Sequence, residues 1–515
     1  MQTANSGIVR NSVLNAAAGM ALLVTGFISS VIVARLLGPE ANGTIAFSLW
    51  LVTTGSLIAE MGSGVSLLRI LPQLAARGYD PAARRRFAAY LAWPVVVSTL
   101  LLTAAYTAYT HFFGDKQGFD ATPEIVVLTG LLFVIQSIGS FSKNYLIGEQ
   151  SLGAFFRLST TSAVLQLVTV AVGAWYWGVV GALAGYAAGQ ITLFLSTVSI
   201  LRSRPDSCGL SMREVASSSF VVIIEFVVTA IFLTRPEIVF LQHFRNAETV
   251  GYYAVAMSLA NIALQLPIQL TGSLMPYYAE HIEKGGNLPA SIFEAVMRNF
   301  AYLTLPMSFG LAAVAEPLVT SIYGPAFKDA GIIVAILSAG APANVFLQLC
   351  TQYIFAVDKP GIRLNTAIMG AIAMVIGLLA VVPFYGGEGA AVIRNLVLVG
   401  MCIFIMRFVK LDNPSGTIGY SLLRITVASL ATGFAAYALT VFVPGLPGVV
   451  LGIGAGMAVY VPALRLAGAI DPADRAFLAG LDHRIPGRFR RTFHIILNMA
   501  APRAAAATTH DRIKE

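Results

Sequence analysis

Of the 515 residues, 57% are hydrophobic and only 11% charged, so an ionisable side chain inside a long apolar run is costly and is the first candidate for function. Such residues, in or at the edges of the runs, are Arg35, Glu60, Arg69, Glu225, Arg235, Glu237, Arg298, Glu316 and Arg394. Arginine presents a planar fork that donates paired hydrogen bonds to carboxylate or phosphate oxygens. In Arg235-Pro236-Glu237, the proline lacks a backbone donor and clashes one turn back, which predicts a bend that frees a carbonyl beside an arginine. The alternative is that Arg235 snorkels to headgroups while Glu237 pairs locally. Glu225, deeper in the same run, is a candidate for proton or cation coupling, or else a neutral acid hydrogen-bonded between helices. Arg394, a few residues past Glu388, is predicted to face an interior cavity, whereas Arg35 at a helix end also suits snorkelling. Glu60 and Arg69 stand nine residues apart, on opposite helix faces, and do not pair with each other. Arg298 and Glu316, near opposite ends of one run, read as interfacial anchors.

The elements that must position these residues are membrane helices. A soluble domain carries about 25% charged residues, and a spanning helix needs about 20 mostly apolar ones. Gly, Pro and charge divide the chain into runs near residues 11–35, 44–68, 87–110, 124–147, 157–177, 179–201, 216–241, 250–276, 298–322, 329–356, 363–384, 388–408, 419–443 and 447–466. The reading is an all-α polytopic membrane protein of about fourteen spans, the first of which is too long for the core of a cleaved signal peptide. With the N-terminus inside, 27 of the 33 Lys and Arg residues fall in inner segments. Only Arg35, Lys116, Arg235, Arg245 and Lys328 fall outside, with Arg394 within a span. That bias predicts two cytoplasmic ends. The basic clusters Arg84-Arg85-Arg86 and Arg488 to His494 suit anionic membrane lipids, and residues 488–499 could form a short amphipathic surface helix. Basic residues in short loops, without a stripe of interleaved aromatics, argue against nucleic acid. Cys208, Cys350 and Cys402 provide neither a disulfide framework nor a Cys-x-x-Cys metal site. No P-loop, His-Glu-x-x-His or Asp-x-Asp pattern occurs, so the reading is a non-enzyme without a cofactor or metal.

One register recurs along the chain. At a spacing of 208 residues Gly43 aligns with Gly251, Ala46 with Ala254, Tyr145 with Tyr353, Gly153 with Gly361, Gly181 with Gly389 and Ala182 with Ala390. An even number of spans per unit makes the duplication parallel. The predicted organisation is an N-lobe at 1–208, a C-lobe at 209–412, two further helices at 413–466 and a basic cytoplasmic tail at 467–515. The same register equates Arg35 with His243, which could face each other at the outer mouth.

Four segments carry a family resemblance: Val33 to Gly43 (VARLLGPEANG), Thr249 to Ala256 (TVGYYAVA), Glu316 to Gly324 (EPLVTSIYG) and Gly386 to Ala391 (GGEGAA). In order and spacing, over roughly residues 8–466, the chain resembles the polysaccharide and O-antigen flippases of the multidrug/oligosaccharidyl-lipid/polysaccharide exporter superfamily. The resemblance implies two six-helix lobes around a cavity that opens alternately to either side of a bacterial inner membrane. The last two helices would form a groove for a lipid tail. The implied cargo is an undecaprenyl-diphosphate-linked oligosaccharide, and other polysaccharide assembly proteins are implied as partners. On that reading Arg35, Arg235 and Arg394 line the cavity, and Glu225, Pro236 and Glu237 serve coupling or gating. Related alternatives are a lipid II-type flippase or a multidrug exporter, though a drug exporter should favour acidic and aromatic lining. A membrane enzyme of polysaccharide assembly is the alternative from another class.

Overall fold

A computed structural model describes residues 2–113, 122–209, 212–271, 274–285, 288–412 and 416–471, with a few residues between 474 and 500. In hydrocarbon every backbone polar group must be satisfied within the chain, which selects helices. The helices run α1 Gln2–Ala59, α2 Ser63–Ala76, α3 Pro81–Phe113, α4 Pro123–Gly148, α5 Leu152–Leu201, α6 Met212–Phe232, α7 Glu237–Phe244 and α8 Ala247–Thr271. They continue as α9 Leu274–Gly285, α10 Ala290–Ala313, α11 Ala315–Tyr323, α12 Ala330–Ala356, α13 Pro360–Met406, α14 Ile418–Phe442 and α15 Gly445–Leu466. Two short strands, β1 Leu288–Pro289 and β2 Leu411–Asp412, pair in parallel. The all-α membrane architecture read from composition is the one observed.

Among the described residues eight helices are long and apolar enough to cross a membrane, and α10 with α11, bent by 69°, makes a ninth. Three of the eight are double-length, with apolar stretches of 43, 50 and 47 residues in α1, α5 and α13. A straight helix of 47 residues would be about 70 Å long, over twice the ~30 Å hydrocarbon core. Each instead breaks at one glycine with non-helical backbone: Gly38, Gly178 and Gly386. Around Gly178 the chain folds back on itself. Thr169 Oγ1 donates to the Gly185 carbonyl at 2.9 Å, Ser162 donates to the Gly189 carbonyl, and Gly173 lies against Gly181. Each of α5 and α13 therefore holds two of the expected spans. The expected loop through Gly43 is much shorter than the sequence suggested. Gly38 (φ 81°) alone turns the chain, and Pro39, whose φ is already helical, opens the next limb.

The 208-residue register is visible in the backbone. Gly178 (φ 60°, ψ −134°) and Gly386 (φ 54°, ψ −133°) adopt one conformation. At the ends of α4 and α12, Gln150 (φ 55°) and Asp358 (φ 49°) are both left-handed, and the hydrogen bonds match one for one. Gln150 N donates to Ile147 O and Ser151 N to Leu146 O, as Asp358 N does to Phe355 O and Lys359 N to Ile354 O. These are paired left-handed helix caps of the type that closes the last helical turn.

Contacts sort the chain into two compact units, Met1–Ser258 with Pro360–Ile393, and Leu259–Lys359 with Arg394–Glu515. In the first, α1, α4 and α5 close around Val52, Leu132, Val170 and Leu183, and α2 and α3 around Leu67, Phe87 and Phe141. In the second, α10, α14 and α15 close around Ala301, Ile425 and Leu464. Residues 488, 489 and 491–497, on which most of the expected surface helix falls, lie outside the described residues.

Candidate functional site

The run read as span seven is not continuous. It breaks between Phe232, the last residue of α6, and Glu237, the first of α7, at the proline that sequence marked as the bend. Thr234 closes the upstream end, its N and Oγ1 both donating to the Thr229 carbonyl at 2.9 and 3.0 Å. Proline has no N–H to lose there, and Val239 N donates to the Pro236 carbonyl at 3.0 Å to restart the helix. Arg235 is exposed, whereas Pro236 and Glu237 are buried. A carboxylate in the first turn of α7 meets the positive end of the helix dipole.

Glu225, eleven residues before the break, forms a hydrogen-bonded ion pair with Arg363 Nη2. Their side chains are only 13% and 11% exposed. Sequence reasoning assigned Arg363 to an inner loop and missed the pair. The helix α13 opens at Pro360, three residues earlier than the expected start of that run, and this carries Arg363 into its first turn. A second clamp reaches the same helix. Arg245, which caps α7, donates from Nε to the Val382 carbonyl at 3.3 Å. Val382 stands one turn before Gly386, so the guanidinium grips α13 close to its break.

Within the same unit α1 and α8 cross at equivalent glycines. A Cβ at Gly43 would overlap the Ala247 carbonyl, and one at Gly251 would overlap the Pro39 carbonyl. Pro39 and Ala247 are themselves 208 residues apart, so the crossing has local two-fold character. Asn42 Nδ2 donates to the Gly251 carbonyl at 3.2 Å. Arg35 is exposed on α1, one turn before Gly38. His243 is exposed on α7 with its ring edge-on to Phe244.

Glu60 is buried at the break between α1 and α2, where it accepts from Ser140 Oγ and from Asn144 Nδ2, the latter at 3.3 Å. Arg69 is exposed. In the second unit Arg394 is half-buried on the second limb of α13, and its neighbour Asn395 donates to the Ile336 carbonyl at 2.6 Å. Arg298 is not the interfacial anchor its position suggested. It is buried and holds Asp474 with two bonds, Nε to Oδ2 at 2.7 Å and Nη2 to Oδ1 at 2.8 Å, with Tyr302 donating to the same carboxylate at 2.9 Å. Glu316 is exposed, 3.5 Å from Lys328. The site residues read from sequence thus fall in both units: Arg35, Glu225, Arg235, Pro236 and Glu237 in the first, Arg394 in the second.

Double-length helices broken at glycines and a parallel duplication define a polytopic helical membrane protein. The fold is that of the multidrug/oligosaccharidyl-lipid/polysaccharide exporters. A lipid II flippase, MurJ, in an inward closed conformation superposes with a TM-score of 0.68 at 15% identity, covering 88% of this chain and 98% of that one. An inward-facing multidrug resistance transporter of the MATE family gives 0.59 at 13% identity, covering 78% and 96%. A superfamily transporter from Pyrococcus furiosus gives 0.52 at 14% identity, covering 81% and 96%. A comparison with curated protein sequences found no match. The chain belongs to the polysaccharide biosynthesis protein family, whose model matches residues 32–332. It is a multi-pass helical membrane protein of that family, with the fold seen in solved flippases and exporters.

Proposed function

We propose that the protein flips a lipid-linked oligosaccharide, carried on undecaprenyl diphosphate, across a bacterial inner membrane for assembly of a surface polysaccharide such as O-antigen or exopolysaccharide. The observation that carries this reading is membership of the polysaccharide biosynthesis family by a chain with an exporter fold. The duplicated halves, 1–208 and 209–412, act as lobes that alternate access, with both termini cytoplasmic, and residues 413–466 guide the lipid tail. Arg35, Arg235 and Arg394 supply guanidinium groups to the diphosphate, where paired charge-assisted bonds are strongest. Pro236 provides the bend, while Glu237 and the Glu225–Arg363 pair are the polar contacts remade as span seven moves. An ion gradient, the membrane potential or removal of product drives the cycle.

The test is flipping of a fluorescent undecaprenyl-diphosphate oligosaccharide in proteoliposomes. Arg235→Ala and Arg394→Ala should each slow it about tenfold, the value of one charge-assisted hydrogen bond, with folded yield unchanged. A wild-type protein that moves no such lipid under any gradient sinks the substrate assignment. The second reading is a lipid II-type flippase, favoured by the likeness to a protein of that name. Lipid II offered in the same vesicles separates the two.

A further inference from the structure

The outer face of α3 carries an apolar groove of about 600 Å³ that the transport reading does not use. Met61, Tyr90, Trp93, Val97, Leu101 and Pro205 line it. On a helix turning 100° per residue, Tyr90, Trp93, Val97 and Leu101 share one stripe about 80° wide, and Arg86 lies on the same stripe one turn closer to the loops. From Tyr90 to Leu101 the helix rises about 16 Å, half of the ~30 Å hydrocarbon core. The groove has the depth of one leaflet, and Tyr90 and Trp93 sit at its loop end, where interfacial aromatics belong.

That end is basic. Arg86 and Arg204 are both exposed. The Arg86 carbonyl accepts from Asp206 N at 3.2 Å, which holds the Arg204-Pro205 segment beside it and Pro205 against the groove. The other two arginines of the cluster are engaged: Arg84 grips Glu149 at 2.8 and 2.9 Å, and Arg85 donates to the Ser199 carbonyl at 2.7 Å. The carboxylates close by cap backbone amides. Asp206 accepts from Cys208 N at 3.0 Å and Asp80 from Ala83 N at 2.7 Å.

We propose that this groove is a resident site for an anionic phospholipid, with one acyl chain along Trp93, Val97 and Leu101 and the phosphate at Arg86 and Arg204. An acyl chain spans one leaflet, which is the length of the groove; an isoprenoid carrier chain is much longer. The site does not depend on which cargo the protein moves.

The probe is Trp93 as sole tryptophan, with Trp50, Trp175 and Trp177 replaced by Phe, in phosphatidylcholine nanodiscs containing brominated phosphatidylglycerol or brominated phosphatidylcholine. The brominated phosphatidylglycerol should quench Trp93 preferentially, by about fivefold in relative affinity for each arginine. Arg86→Ala with Arg204→Ala should abolish the preference, and Arg86→Lys with Arg204→Lys should keep it. Native mass spectra of the unsubstituted protein should retain phosphatidylglycerol over phosphatidylcholine. Equal quenching by the two lipids, or a preference that survives both alanines, overturns the site. Displacement by undecaprenyl diphosphate without any preference for phosphatidylglycerol also overturns it, in favour of a cargo portal.

Discussion

The hairpins of α5 and α13 are copies of one element, turned by glycines with nearly the same backbone angles, yet they are held shut differently. In α5 the two limbs meet backbone to backbone: Gly173 faces Gly181, and Thr169 bonds the Gly185 carbonyl. At the equivalent positions of α13, Val381 stands for Gly173, Gly377 for Thr169 and Ile393 for Gly185, so side chains separate the limbs. The first limb of α13 is tied instead to neighbouring helices, by Arg245 on the Val382 carbonyl and by Arg363 on Glu225. Its second limb, from Arg394, also groups with the other unit, whereas α5 stays whole within the first. A tight glycine seam makes a rigid strut. A looser hairpin tied by polar contacts to a broken span can be rearranged by exchanging those contacts.

The largest expected effect tests the seam. A Cβ at Gly181 would overlap the Gly173 carbonyl, and backbone cannot yield. At Gly389, its equivalent, a Cβ would stand 2.6 Å from Val381 Cγ1, which a rotamer change can move, and 2.8 Å from Tyr385 Cβ, which moves only with its backbone. Gly181→Ala should therefore cost about 3 kcal/mol and Gly389→Ala about 2 kcal/mol, read as melting temperature and folded yield in detergent. Equal losses would remove the distinction between the two hairpins.

Next in size is the tie to span seven. Glu225→Gln or Arg363→Met leaves a mostly buried partner uncompensated and should cost about 2 kcal/mol each, while the double substitution costs less than the sum. A double-mutant cycle on thermal stability measures the coupling. If the pair also changes during transport, the double variant should recover stability but not the flipping rate. Recovery of both would make the pair a structural clamp like Arg298 with Asp474.

Much of this architecture was legible because punctuation in a membrane chain is sparse. The expected boundaries at 177/179 and 384/388 bracket the two glycines that turn α5 and α13, and proline announced the break in span seven. The 208-residue register was readable from a handful of Gly, Ala and Tyr positions, of which Gly43 and Gly251 prove to occupy a close crossing. Other features were hidden for physical reasons. A single left-handed residue, Gly38, replaces a loop, and charge and hydropathy do not register a turn that short. Arg363 and Glu225 are 138 residues apart in sequence, and neither belongs to a motif. Arg298 finds its partner in Asp474, within the segment read as a tail, so an interior ion pair looked like an interfacial anchor.

The smallest effect concerns the next layer of the hairpins, where the halves have exchanged large for small. A Cβ at Gly377 would lie 2.7 Å from Ile393 Cγ2, so Gly377→Ala should cost somewhat under about 1 kcal/mol. The added Ile393→Leu change removes that branch methyl at Cβ and should return most of the loss. The same logic fails in α5: a Cβ at Gly185 would stand 2.5 Å from Val170 N and 2.6 Å from Val170 Cα. No second-site side-chain change relieves a backbone contact, so Gly185→Ala should resist rescue by any substitution at Thr169 or Val170. Thermal melts of these variants separate a seam made of backbone from one made of side chains, and a rescued Gly185→Ala would show that the α5 limbs can part.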